Sequence, residues 1–71
     1  DLDVMRVEVA DGAPAAGKSL ANVRFPEGAL VVSGADGDSV ASRETTLSAG
    51  DVYVVAAEPA VVDEVMNLLR G

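Results

Sequence analysis

The stretch with the most chemistry in its spelling is GAPAAGKS, residues 12–19. It satisfies G-x-x-x-x-G-K-[ST], and the strand-like run VMRVEVAD precedes it. Where that pattern operates, backbone amides cradle phosphates, the lysine (here Lys18) reaches the outer phosphates, and the hydroxyl (here Ser19) holds Mg²⁺. Such a site needs a parallel sheet, a helix of several turns leaving the loop, and an acid ending a second apolar strand. Only about ten residues separate Gly17 from the next apolar run, the bottom of the length a parallel crossover requires. That run ends in Ser33-Gly34, and although VYVVAAE ends in Glu58, Pro59 follows at once as a helix opener. The stretch therefore reads better as a strand-to-helix turn shaped by Pro14 and Gly17, with Lys18 solvated. A small nucleotide-binding protein of the phosphate-loop type is the alternative.

Three further sets of residues have types suited to binding. Asp36 and Asp38 flank Gly37 and offer oxygen ligands to a hard cation such as Ca²⁺, although two carboxylates in a tight hairpin are explained by the turn alone. Arg24 is placed to meet an anionic ligand, or simply to pair with Glu27 on the surface. Leu2, Val4, Leu30 and Val32 are more apolar positions than one small core needs. They suit a self-complementary dimer patch, or else ordinary core or contact with a further domain. No residue is assigned a catalytic role, and no metal site is assigned beyond that aspartate pair. With neither cysteine nor histidine there is no disulfide, no thiol nucleophile, and neither of the usual Zn²⁺ ligands.

At 71 residues the chain is one small domain, and a chain of this size buries only about 60% of its unfolded surface. A covalent neighbour or a partner subunit is the expected source of further stability. The absence of an initiator Met and the opening DLDV suggest a piece of a longer protein. Twelve acids against five bases give a net charge of −7, which opposes binding to nucleic acid or an anionic membrane. Aromatics are limited to Phe25 and Tyr53, leaving little for base stacking. Lys18 is the only lysine. That acidity suits a halophilic, high-salt cytoplasm, and equally an ordinary solvated surface. No apolar run approaches the roughly 18 residues of a membrane span, so a soluble, cytoplasmic chain without direct membrane insertion is expected.

These side chains need elements to hold them. Met5, Val7 and Val9 alternate with Arg6, Glu8 and Ala10, the period of a half-buried strand. KSLANV predicts a short first helix from Lys18, closed by Pro26 and Gly28. ALVVSG, residues 29–34, is a continuous apolar run, which predicts a central strand buried on both faces. Asp36-Gly37 is a hairpin signal, joining it antiparallel to a weaker strand, SVAS. After a turn at residues 48–51 with Gly50, VYVVAA predicts another buried strand. Pro59 opens a second helix whose stripe is Val61, Val65 and Leu68, joined by Val62 and Leu69. Asp63 and Glu64 near its start, Arg70 near its end and Gly71 beyond suit the helix dipole and cap. The order is β-α-β-β-β-α, an α+β fold with a mostly antiparallel sheet and helices packed on it.

The series as a whole resembles the TrkA-C domain, the C-terminal domain of regulators of K⁺ conductance. The resemblance is carried by A-P-x-x-G-K-S-L (Ala13 to Leu20), P-E-G-A-L-V-V (Pro26 to Val32), T-x-L-x-x-G-D (Thr45 to Asp51), the apolar strand after it and the closing V-x-x-L-L helix. It covers nearly all 71 residues in the family's order. It implies a non-enzymatic regulatory, ligand-sensing and dimerisation domain of a potassium or related transport system. The implied partners are a second copy and a membrane transporter or channel subunit, with no nucleic acid. In this family the G-K-[ST]-L piece introduces the first helix and has no hydrolytic role. No cofactor is implied for this domain, only a regulatory nucleotide or cation. The chain departs where some relatives hold cyclic di-AMP: it has the shorter RFPEG connection and Leu30 in place of an asparagine, so that site is not carried over. It also has Ala41-Ser42-Arg43-Glu44-Thr45 where many relatives have P-x-G-D-T.

Overall fold

The computed structural model describes residues 1–34 and 39–71. Three strands form one antiparallel sheet: β1 (Asp3–Glu8), β2 (Ala29–Gly34) and β3 (Val52–Ala57), in the spatial order β1-β3-β2. A helix, α1 (Val62–Arg70), follows a single 3₁₀ turn at Pro59–Val61, and a second such turn spans Leu20–Asn22. The α+β class read from the sequence holds.

β3 is the centre of the sheet because its β-branched run can be covered on both edges. Its register runs Asp3↔Ala57 through Glu8↔Val52 on one side and Ala29↔Ala57 through Gly34↔Tyr53 on the other, with a bulge between Val31 and Ser33. Tyr53, Val55 and Ala57 point inward and are buried, while Val52, Val54 and Ala56 face the opposite side and are half-buried. The expectation that ALVVSG is central and buried on both faces is corrected: β2 is an edge strand, and Leu30 and Val32 are exposed. A continuous apolar run looks the same whether its second face meets this chain or is left open.

The first helix is also corrected. Only Leu20–Asn22 coils, as one 3₁₀ turn, because the residues around it are committed to extended pairing. The Gly17 and Leu47 amides donate to the Leu47 and Lys18 carbonyls, and those of Leu20 and Ala21 donate to Thr45 and Arg43. An antiparallel bridge joins Ser19 to Thr46. The strand expected in SVAS reduces to a bridge between Ser33 and Val40, with the Ala41 amide donating to Val32 at 2.9 Å. The hairpin pair Asp36-Gly37 lies outside the described residues.

Helix α1 follows its sequence pattern. Val65 and Leu69 are fully buried against the inner sheet face, and Asp63, Glu64 and Arg70 sit at the dipole-favoured ends. Gly71 closes it by donating to Asn67 at 3.0 Å, and Arg70 Nη1 donates to the Glu8 carbonyl at 3.0 Å, tying the helix end to β1. Between helix and sheet lie Val7, Val31, Tyr53 and Val55, joined by Leu47 and Ala15 from the connecting segments. Each fully buried Val or Leu contributes about 1.5–3 kcal/mol.

Candidate functional site

GAPAAGKS is a knot of backbone contacts. The amides of Ala13, Ala15, Ala16, Gly17 and Lys18 donate to the carbonyls of Ala10, Leu68, Ala13, Leu47 and Ala15 at 2.7–3.1 Å. Pro14 has no amide proton to give. The Ala15 donation, with that of Ala10 to Leu69 at 2.8 Å, satisfies carbonyls at the end of α1 that no intrahelical amide reaches. Five amides a phosphate would need are thus already spent, on the loop's own turns, on Leu47 and on the end of α1. Gly17 takes φ +80°, which permits the bend, and Lys18 is exposed. After Ser19 the chain makes only a three-residue 3₁₀ turn, far short of the several-turn helix of a phosphate site. Neither the hydrogen bonding nor the length supports the phosphate-loop alternative.

The sheet's outer face, opposite α1, is different. Leu2, Val4, Leu30 and Val32 are 59%, 69%, 65% and 37% exposed. The register sets Val4, Ala56 and Leu30 side by side across all three strands, and Arg6 beside Val54. Val4 and Leu30 therefore meet on one uncovered apolar surface with Leu2 beside them, while Val32, also exposed, sits in the bulge outside the paired register. A groove of about 320 Å³ cuts into it between Leu2, Leu30 and Ala56, with Glu58 at its end.

Around Leu30 the surface turns into a second cleft of about 340 Å³, floored by Leu20, Phe25, Leu30 and Val31 and edged by Ser42 and Arg43. Its two walls are joined by the Ala21 amide donating to the Arg43 carbonyl at 2.9 Å. The Ser42 amide donates to Thr45 Oγ1 at 2.9 Å, fixing the turn that carries Arg43. Arg24 does not line this cleft, and Arg43, not singled out in the sequence, does. The available signal was the ASRET segment itself, since the pairing of residues 17–21 with 43–47 is what moves Arg43 beside Phe25 and Leu30.

A sequence model of the TrkA-C domain matches residues 4–70, essentially the whole chain. The chain belongs to the TrkA-C domain family. That is a family of regulatory domains of potassium transport systems. No curated protein matches the chain. In this TrkA-C domain no helix among the described residues is long and apolar enough to cross a membrane. Nor do the described residues contain a group of three or more acids suited to a metal ion, and Asp36 and Asp38 lie outside them. The T-x-L-x-x-G-D turn carries core rather than chemistry: Leu47 is fully buried, and the Tyr53 hydroxyl accepts the Ser48 amide and donates to the Thr46 carbonyl.

Proposed function

We propose that this TrkA-C domain is a non-enzymatic, ligand-sensing dimerisation domain on the cytoplasmic side of a potassium transporter or channel. The observation that carries the reading is the position of Leu30. The same side chain lines the cleft edged by Arg43, lines the groove ending at Glu58, and stands 65% exposed in the apolar face. A molecule settling in the cleft touches the centre of the surface on which two copies would meet. Its binding free energy then biases dimer geometry, and through it the attached transporter, by differential affinity for two states. The single guanidinium over an apolar floor favours an organic anion such as a nucleotide over a cation.

Light scattering across concentration, together with a thermal-shift screen of nucleotides, tests this. The expected result is a dimer and a ligand-dependent rise in melting temperature that Arg43→Ala diminishes and Lys18→Ala leaves unchanged. A strictly monomeric chain would overturn the dimer reading. A dimer indifferent to every nucleotide would leave a purely structural oligomerisation module, and a rise abolished by Lys18→Ala would restore the phosphate-loop alternative.

A further inference from the structure

We infer that the two copies dock outer sheet face to outer sheet face, about a two-fold axis crossing the strands at the Val4–Ala56–Leu30 row, with Arg6 of each protomer paired to the partner's Glu58. This rests on the dimer reading above and adds its geometry. Side chains alternate along a strand, so Val54, Ala56 and Glu58 share one side of β3, and Val4 and Arg6 share that side of β1. Val4 is opposite Ala56 and Arg6 opposite Val54. Arg6 therefore lies two residues to one side of the row, and Glu58 two residues to the other, about 6.6 Å each at the strand rise.

A two-fold axis lying between the stacked sheets and perpendicular to the strands reverses position along them. It lays the partner's Glu58 over the Arg6 end while Val4, Ala56 and Leu30 meet their own copies, as an isologous interface requires. The remaining offset is one strand spacing, about 4.8 Å, across sheets about 10 Å apart, a gap suited to two long side chains reaching from opposite faces. Both pairs lie close to the centre, where the customary twist of about −30° between packed sheets displaces them little.

Charge identifies the occupant as a second copy. On a chain with five basic residues and a net charge of −7, Arg6 stands on the apolar face. A foreign basic partner would satisfy Glu58 and oppose Arg6, whereas a second copy satisfies both. In the single chain the exposed Glu58 side chain leans toward the β2 side, and it swings from there toward the partner's Arg6 on pairing. Glu58 lies along Gly28, where an added Cβ would come within 2.9 Å of Glu58 Cδ and 3.1 Å of Oε2, and its amide donates to the Gly28 carbonyl at 2.8 Å.

The test is dimer affinity by light scattering and sedimentation at low salt for Arg6→Glu, Glu58→Arg, Glu58→Gln and the double reversal, with circular dichroism verifying each fold. Arg6→Glu and Glu58→Arg are expected to weaken the dimer at least tenfold, and Glu58→Gln by less. The double reversal, which keeps the net charge of the native chain, should recover affinity to within about threefold. Glu58→Arg is decisive, because it lowers the net negative charge: general repulsion alone would make it tighten the dimer. Tightening by Glu58→Arg, or a double variant weaker than either single one, would overturn the pairing. A dimer insensitive to all four but lost in Leu30→Asp would keep the face and overturn this geometry. A native chain that is monomeric throughout would remove the dimer reading itself.

Discussion

The Tyr53 hydroxyl acts as a staple: it accepts the Ser48 amide and donates to the Thr46 carbonyl, both at 3.0 Å, and so clamps the segment that pushes Leu47 into the core. Tyr53→Phe keeps the ring and leaves those two groups without their partner, and is expected to cost about 1–2 kcal/mol in urea unfolding. A loss below about 0.3 kcal/mol would show that water replaces the staple. At this scale the sequence was partly legible. The exposure of Val4 and Leu30 on one face follows from strand alternation once the register is known, and their types had marked them, with Leu2 and Val32, as surplus to a core. The role of Arg43 was hidden. Which arginine meets the cleft depends on residues 17–21 lying along 43–47, and nothing local to Arg24 or Arg43 encodes that.

Among the elements, α1 was readable because its apolar stripe, its acidic first turn and its terminal Gly71 are all local signals. The first helix was not, since KSLANV has adequate helical spacing but pairs instead with the distant extended segment at residues 43–47. The placing of ALVVSG at the centre failed for a related reason: periodicity reports apolar character, not which neighbour covers it. Helix α1 is anchored through two layers, its side chains Val65 and Leu69 in the core and its terminal carbonyls on the Ala10 and Ala15 amides. Leu69→Ala is therefore expected to cost about 2–5 kcal/mol, enough to unfold most of a domain of this size, while Leu68→Ala, at a half-buried position, costs about 1. Thermal melts by circular dichroism check the order, and equal effects at the two positions would contradict the packing described.

For the whole molecule, every described carboxylate is exposed and the net charge is −7, so self-repulsion works against the compact state in dilute buffer. Raising KCl from about 50 mM to about 1 M shortens the screening length severalfold and is expected to lift the melting temperature by about 5–10 °C. A melting temperature independent of salt would show that the acids are spaced too widely to matter. The sheet order carries a consequence for how such a chain is born. β1 and β2 do not pair with each other; the strand between them is β3, the last of the three to leave the ribosome. Until residue 57 has emerged, the two earlier strands have no sheet to enter, and closing β1 onto β3 spans more than forty residues of chain. The nascent domain must therefore carry Leu2, Val4, Leu30 and Val32 without a sheet until β3 has emerged, and its sheet forms in one step rather than by accretion.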